Sequence, residues 1–246
     1  MRVRGGIFPT DSLVAGVAGV DYTVDALSAR LRRKPALRRY LTEQFDIVVS
    51  GYPRSGNSFL ADALRLVGGS STRVGEREHS PLVPYVASRS DLPVVIPIRE
   101  PKSTIASWFV FRGEELTTER LRAYVESYTR WFRFVHRYRS AQKSVVVPFE
   151  VLTKEPEKVL SHHVVQQAID SPTASIHPEE VLQSLKHKET RERGTAFVEK
   201  ASLPVEERRG MNERVVEFLQ QPGLAAEVEQ AQVAYLDLQL SEPSWR

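Results

Sequence analysis

The stretch from Gly51 to Ser58 has the residue types and the spacing of a loop that binds phosphate groups. Its pattern, Gly51-x-x-x-x-Gly56-x-Ser58, is that of a nucleotide phosphate loop, in which backbone N–H groups surround the anion. Such loops hold a lysine at the position that is Asn57 here, and the cation of this chain comes earlier, at Arg54. A nucleoside triphosphatase needs that lysine on the outer phosphates. The sequence therefore predicts an anion site of a different kind.

Two elements are predicted to position this loop. The apolar run Ile47–Val49 lies before it and has strand propensity. From Asn57 onward, apolar residues recur at helical spacing, at Leu60, Leu64 and Val67. The first N–H groups of a helix have no partner within the helix, and its dipole favours anions at that end. A strand, an anion-binding loop and a helix are thus expected in this order.

A second stretch of this kind lies further along the chain. It reads Leu92-Pro-Val-Val-Ile-Pro-Ile-Arg99-Glu-Pro-Lys-Ser-Thr-Ile-Ala-Ser107. An apolar run ends at Arg99, and a predicted helix carries Ser107. Pro97 lies inside the apolar run and cannot donate to a sheet ladder, so a bulge or a sheet edge is expected there.

Together the two stretches resemble the signatures of the sulfotransferase family, in the family's order. The first signature reads roughly Tyr-Pro-Lys-Ser-Gly-Thr-Thr-Trp, with arginine replacing lysine in some branches. The second is a strand ending in Arg, followed by Asn-Pro-Lys-Asp and a helix that carries a Ser eight positions after the Arg. The resemblance extends from Asp46 to about Ile169 and is loose or absent elsewhere.

The resemblance implies an enzyme that uses 3′-phosphoadenosine-5′-phosphosulfate as its co-substrate and needs no metal ion. The sulfuryl group would move to a hydroxyl or amine of an unidentified acceptor, which is a small molecule, carbohydrate, lipid or peptide. Arg54 would be catalytic, because it would stabilise the charge that grows on the leaving phosphate. Arg99 and Ser107 would hold the 3′-phosphate by charge-assisted hydrogen bonds. The 5′-phosphosulfate would be held by Arg54, Ser55, Gly56, Asn57 and Ser58.

Two aromatic residues match family positions near the adenine of the donor. Phe59 stands where the family has Trp and would stack on the ring. Phe149 belongs to a predicted strand, Ser144 to Glu150, that resembles the family's strand ending in Tyr-Glu, and would lie near the adenine. Packing in the core explains both aromatic residues equally well, so both interpretations stay open.

The segment Glu78-His79-Ser80-Pro81 resembles the family's Thr-His-Leu-Pro segment, whose histidine takes the proton from the acceptor. The resemblance implies that His79 is a catalytic base. A single histidine in a loop is otherwise a solvated or capping residue, so this role depends on the two flanking motifs. A carboxylate, Glu76 or Glu78, is the alternative base.

The family closes its donor site with an Arg-Lys-Gly loop, whose nearest counterpart here is Arg191-Glu-Arg193-Gly194. The resemblance assigns Arg193 and Gly194 to donor binding. Glu192 interrupts the basic pair, and the family's Gly-Asp-Trp-Lys-Asn continuation is absent. Both features put this closing role in doubt.

Length and composition suit one domain over 1–246, with an N-terminal extension of unclear structure over 1–45 and a mostly helical part over 170–246. No membrane span is expected, and the apolar run Leu13–Val20 is rejected as a secretion signal because two glycines dilute it. Zero cysteines exclude disulfides and thiolate metal sites. They also suit a reducing compartment, and a cytoplasmic location is expected.

The alternation of strands with helical segments predicts an α/β fold with three layers: a central, mainly parallel sheet and helices on both faces. This architecture resembles that of the phosphate-loop nucleotide hydrolases. The expected helices include an aromatic-rich one from Leu121 to Tyr138, a single one after the strand that ends at Glu150, and a closing one from Leu224 to Leu240.

Two other functions stay open. A kinase or nucleoside triphosphatase would use the same loop, but Asn57 replaces its lysine, and Arg99 stands where a magnesium-binding aspartate follows the next strand. A basic module would bind nucleic acid through the run from Arg30 to Arg39, although a solvated helical face explains that run more simply. The formal net charge of +3 suits an anionic cofactor without requiring nucleic acid, and none is expected as a partner. The oligomeric state is not predicted.

Overall fold

A computed structural model describes residues 45–76, 79–87, 91–169, 176–193, 206–242 and 245. The apolar run Leu13–Val20, the basic run from Arg30 to Arg39, and both Glu78 and Gly194 lie outside these residues. The predictions made for them therefore stay predictions.

The described strands form one sheet in which every strand is parallel to its neighbours. They are β1 (Ile47–Val49), β2 (Val74–Gly75), β3 (Val94–Ile98) and β4 (Ser144–Pro148), in the order β2-β1-β3-β4. All of their residues are buried. Continuous apolar runs are typical of parallel strands that are covered on both faces.

Ten helices are described, and they pack on both faces of the sheet. They are α1 (Asn57–Gly68), α2 (Leu82–Ala87), α3 (Pro101–Arg112), α4 (Thr118–Tyr138), α5 (Phe149–Lys154), α6 (Pro156–Leu160), α7 (His163–Gln166), α8 (Pro178–Arg193), α9 (Glu206–Leu219) and α10 (Pro222–Leu240). The expected α/β fold is confirmed, as are the long aromatic helix, now α4, and the closing helix, now α10.

The hydrophobic core lies on both sides of the sheet, because successive strand residues point to opposite faces. Val94 and Ile96 of β3 pack with α2, α3, α4, α9 and α10. Val95, between them, packs on the other face with α1 and α5 to α8. The sheet is therefore the middle of three layers, and the carboxyl ends of its strands meet at one edge.

Of the two features expected at Pro97, a bulge or a sheet edge, the bulge is absent. The register of β3 with β4 is continuous, and Pro97 pairs with Val147. With β1, however, β3 is paired only at Val94 and Val95. Pro97 therefore lies where β1 has ended, on a locally unpaired side of β3, so its missing N–H disturbs no ladder on that side.

The prediction of a single helix after the last strand is also wrong. The strand β4 ends at Pro148, and α5, α6 and α7 replace that helix. The first break is at Glu155, which has φ −136° and ψ 55° and precedes Pro156. A residue before proline is driven out of the helical region because the proline ring clashes with it. The second break is at His162, which is extended and accepts a hydrogen bond from the N–H of Val164.

A helix that crosses a bilayer needs about 20 consecutive, mainly apolar residues. No helix in the described part of the chain is both long and apolar enough to cross a membrane. The expectation that no membrane span exists thus holds for the residues described, and only for those.

Candidate functional site

The loop between β1 and α1 forms the centre of the candidate site. Two of its residues have left-handed backbone angles, Arg54 with φ 68° and Gly56 with φ 95°. Such an angle is strained for arginine, and strained residues concentrate at ligand sites. The first helical hydrogen bond of α1 runs from the N–H of Leu60 to the carbonyl of Gly56. The N–H groups of the three residues before Leu60 therefore have no partner within the helix and can bind an anion.

Asn57 holds this loop closed through its side chain. Its Oδ1 accepts a hydrogen bond from the N–H of Gly51 at 2.6 Å, and its Nδ2 donates to the carbonyl of Tyr52 at 2.9 Å. Gly51 has no room for a side chain, because a Cβ there would collide with the carbonyl oxygen of Pro97. The side chain of Asn57 is therefore engaged within the loop. The phosphate contact predicted for Asn57 would have to come from its backbone N–H.

We expect Asn57→Ala to lower the free energy of unfolding by about 1–3 kcal/mol, because it leaves the buried N–H of Gly51 without a partner, whereas the carbonyl of Tyr52 still accepts from the N–H of Ser55. Urea unfolding measures this change. Ser58→Ala is the matched control, since Ser58 is exposed at the next position of the same helix and should change stability by less than about 0.5 kcal/mol. Equal stability of the two variants would contradict the role of Asn57.

Arg54 and Ser107, from the two motifs, meet directly. The Nε of Arg54 donates a hydrogen bond to the Oγ of Ser107 at 3.0 Å, and the Arg54 guanidinium lies 5.3 Å from the centre of the Phe111 ring. The resemblance had assigned Arg54 and Ser107 to two different phosphate groups. In the structure these two residues are in direct contact.

Arg99 and Phe149 lie on the other side of the loop. The Arg99 guanidinium is 4.4 Å from the centre of the Phe149 ring. A Cβ on Gly56 would lie 3.1 Å from that ring, so Phe149 also borders the loop. Burial lowers the pKa of Arg99, and the carboxylates of Glu100 and Glu150 oppose this change. Arginine stays charged in proteins, so this side of the loop carries a fixed cation.

His79 touches the loop through its ring. Its Nδ1 lies 2.9 Å from the carbonyl oxygen of Gly51, which can only accept a hydrogen bond, so Nδ1 carries the hydrogen. Nε2 of the neutral ring then carries the lone pair that can accept a proton. Burial lowers the pKa of His79 below 6.5, and the charge of Arg54 lowers it further, whereas the bond to Gly51 raises it. The ring is therefore neutral at pH 7, which is the state that a base requires.

Helix α4 donates hydrogen bonds to the backbone of Arg99 and of His79, the two residues beside the loop. The hydroxyl of Tyr128 donates to the carbonyl of Arg99 at 2.6 Å. One turn later, Nε1 of Trp131 donates to the carbonyl of His79 at 2.8 Å. The ring of Tyr52, from the loop, packs edge-on against both, with centroid distances of 5.1 Å and 6.1 Å. The sequence predicts this aromatic-rich helix but gives it no part in the site; the polar atoms of Tyr and Trp side chains, which need hydrogen-bond partners when buried, are the signal that could have indicated one.

The other residues that were predicted to bind the donor lie in different environments. Ser58 is exposed on the first turn of α1, where a phosphate would reach it. Ser55 is fully buried, and its hydroxyl has no hydrogen-bond partner among the described residues. Phe59 is only 7% exposed and packs in the core beside Leu60, so its burial favours the packing interpretation over stacking on adenine. The backbone of Arg193 ends α8, far along the chain from this loop.

Comparison with protein-family models finds no match, and comparison with curated proteins finds no significant similarity. A functional assignment for this chain therefore depends on the geometry of the loop and on the two short motifs that resemble a known family. That geometry brings one loop, two arginines, a serine and a neutral histidine to the carboxyl edge of a parallel sheet, the edge at which open α/β sheets bind ligands.

Proposed function

We propose that the protein is a sulfotransferase that moves a sulfuryl group from 3′-phosphoadenosine-5′-phosphosulfate to a hydroxyl or amine of an acceptor. The observation that carries the proposal is the convergence of both motifs on one loop. Arg54 of the first motif bonds Ser107 of the second at 3.0 Å, and Arg99 stacks on Phe149, which borders the same loop. Separate cations on adjoining subsites suit a nucleotide with two separate phosphate groups.

The loop and α1 would bind the 5′-phosphosulfate end of the donor. The first N–H groups of α1 and the exposed hydroxyl of Ser58 face an anion at the helix N-terminus. Arg54 would contact the oxygen that bridges phosphorus and sulfur, where negative charge grows as the bond to sulfur breaks. Arg99 and Ser107 would bind the 3′-phosphate, and Phe149 would border the adenosine.

His79 would act as the base. In the transfer, the acceptor oxygen or nitrogen forms a bond to sulfur while the bond from sulfur to the bridging oxygen breaks. The acceptor proton goes to Nε2 of His79, and the adenosine 3′,5′-bisphosphate leaves with the electron pair of the broken bond. A neutral imidazole with a fixed Nδ1 hydrogen is oriented for this step.

The structure gives the kinase alternative little support. The side chain of Asn57, at the position of the phosphate-loop lysine, is engaged by the loop itself. Arg99 follows β3 at the position where a magnesium-binding aspartate would stand. Magnesium-dependent hydrolysis of ATP would restore this alternative. For a nucleic-acid-binding module, the basic run lies outside the described residues.

The proposed function is tested first by nucleotide binding. We expect adenosine 3′,5′-bisphosphate to bind much more tightly than AMP or ATP, because Arg99 and Ser107 would contact the 3′-phosphate, which AMP and ATP lack. Loss of a charged hydrogen bond costs roughly 1.5–3 kcal/mol, so Arg99→Ala should weaken binding of the bisphosphate about ten- to a hundredfold. Its affinity for AMP should change little. Isothermal titration calorimetry measures both affinities.

Arg133→Ala is the matched control, because Arg133 is exposed on α4 and this substitution removes the same charge. It should bind both nucleotides like the wild-type protein. Equal affinity of the wild-type protein for AMP and for the bisphosphate would rule out the 3′-phosphate subsite. The same result would remove the main support for a sulfuryl donor.

A further inference from the structure

A cavity of about 680 Å³ lies between α1 and α8, on the face of the sheet opposite α4. This volume is within the range of sites that bind small molecules. Helix α1 contributes Asp62 and Arg65 to the lining, one turn apart, and α8 contributes four polar residues on one face: Ser184, His187, Lys188 and Arg191. Among the described residues, the lining includes none of the loop between β1 and α1, and not His79. A molecule in this cavity would therefore be separate from the proposed donor and acceptor.

Asp62 is the unusual residue of this lining, because its carboxylate is buried without a hydrogen bond. Its side chain is only 5% exposed, and its Oδ1 lies 3.6 Å from Nζ of Lys188, which is too far for a hydrogen bond. Its Oδ2 has no hydrogen-bond partner in the part of the chain that the structure describes. A buried carboxylate is costly unless it accepts hydrogen bonds. A molecule that donates a hydrogen bond would supply what Asp62 lacks.

Three cations belong to the same cavity. The Nζ of Lys188 lies 3.2 Å from Oε1 of Glu76, and Nη2 of Arg65 lies 2.9 Å from the same oxygen. Nη1 of Arg65 is buried and has no hydrogen-bond partner among the described residues, so it can donate to an acceptor. Together with Arg191, these cations outnumber the two carboxylates, Asp62 and Glu76. A net positive charge therefore faces any molecule inside.

An anion that keeps a hydrogen on one of its oxygens matches these groups. Its bare oxygens would accept hydrogen bonds from Arg65 and from the hydroxyl of Ser184, and its O–H would donate to Asp62. The last torsion of an aspartate side chain is broad, so the carboxylate of Asp62 can turn either oxygen toward the cavity. Inorganic phosphate keeps at least one hydrogen at neutral pH. Sulfate keeps none, and neither does a carboxylate at that pH.

We propose that this cavity is a second anion site, which binds a phosphate group that retains one hydrogen, either as free phosphate or as a phosphate monoester. Asp62 accepts the hydrogen bond from the P–O–H group, and Arg65 donates to another oxygen of the same phosphate. Lys188 and Arg191 balance its negative charge. Bound phosphate thus connects α1 with α8. The assignment uses no residue of the donor loop, so it does not depend on the proposed sulfotransferase function.

The test compares phosphate with sulfate, two tetrahedral anions of similar size, in calorimetric titrations of the whole chain at pH 7. Phosphate should bind at least about tenfold more tightly, because sulfate has no hydrogen for Asp62 and brings a second negative charge beside it. Titration with glycerol 3-phosphate then identifies the source of the phosphate group. Tighter binding than inorganic phosphate indicates a monoester, and weaker binding indicates free phosphate; either result supports the site.

Three variants locate the binding. Asp62→Asn should remove the preference for phosphate, because an amide can donate to sulfate as well as accept from phosphate. Arg191→Gln should weaken phosphate binding about threefold at low ionic strength, since Arg191 is exposed and its charge is screened by salt. Lys186→Gln is the matched control for Arg191, because Lys186 is exposed on the same helix, this substitution removes the same charge, and Lys186 does not line the cavity. This control should bind phosphate like the wild-type protein.

Equal affinity for phosphate and sulfate, or no binding of either, would overturn the proposal. An unchanged preference in Asp62→Asn would overturn it as well, and if that variant does not fold, equal losses in Arg191→Gln and Lys186→Gln would do so. The loop between β1 and α1 can also attract either anion, so the titrations are repeated with Arg54→Ala, in which the preference for phosphate should persist. Loss of the preference in Arg54→Ala would place the phosphate at the loop and not in the cavity.

Discussion

Replacing Arg54 with alanine should lower kcat about a hundred- to a thousandfold, while the affinity for adenosine 3′,5′-bisphosphate falls by less than about tenfold. An interaction that strengthens in the transition state appears mainly in kcat. Arg54 would contact the bridging oxygen, on which negative charge grows as the bond to sulfur breaks. The bisphosphate product lacks sulfur, and its phosphates keep the N–H groups of α1, Arg99 and Ser107.

The backbone at this position allows the effect of the Arg54 side chain to be measured without a change in backbone strain. Arg54 has φ 68°, and an alanine there bears a similar backbone strain, so the change reports on the side chain. Arg54→Lys is a useful second variant: it keeps the charge but loses the bond from Nε to Ser107, so its kcat should lie between those of wild type and alanine. Single-turnover transfer of a labelled sulfuryl group, combined with calorimetry, gives both quantities. A variant that binds the bisphosphate poorly yet keeps normal kcat at saturating donor would contradict the role.

The elements that surround the loop could be predicted because their signals are local. The apolar run Ile47–Val49 is a strand, and the apolar run before Arg99 contains the strand Val94–Ile98. The helical spacing after Asn57 marks the helix that begins there. Each of these segments is short, continuous and bounded by glycine or proline, so neighbouring residues alone determine its structure.

Features that depend on strand order could not be read in the same way. The bulge or sheet edge expected at Pro97 follows from the rule that proline disturbs a ladder, but the outcome depends on where β1 ends beside it. No local pattern shows that boundary. The split into three helices after β4 is different, because its first break has a local cause: Pro156 drives Glu155 out of the helical region.

The parts of the site that were missed come from distant positions. Tyr128 and Trp131 bond the carbonyls of Arg99 and His79, which lie 29 and 52 positions away. Lys188 meets Glu76 across 112 positions. A sequence motif reports on neighbours along the chain, and these contacts are formed only when α4 and α8 pack on the sheet. The supporting helices were therefore predicted as elements but not as parts of a site.

His79→Ala should slow transfer to a hydroxyl acceptor about a hundredfold or more and remove the acid limb of the pH profile. In the wild-type protein, kcat/KM should rise with pH through the pKa of His79 and then level off, because only the neutral imidazole can accept a proton. Burial lowers that pKa from 6.5, so the limb should lie below pH 6.5 and the plateau should be reached by neutral pH. Affinity for the bisphosphate should be nearly unchanged.

Two further variants test whether α4 positions these residues. Trp131→Phe removes the hydrogen bond to the carbonyl of His79, so it should lower kcat and leave the affinity for the bisphosphate intact. Tyr128→Phe removes the bond to the carbonyl of Arg99, so it should show the reverse pattern. A general loss of stability would lower both quantities in both variants, which distinguishes positioning from a merely structural role.

Near-normal turnover of His79→Ala would show that His79 is not the base. A carboxylate would then be the next candidate for that role. Glu76 is poorly placed for that role, because its Oε1 already pairs with both Arg65 and Lys188. If Glu76 nevertheless acts as the base, Glu76→Gln should abolish transfer while His79→Ala leaves it nearly normal. His79 as the base predicts the reverse result for the two variants.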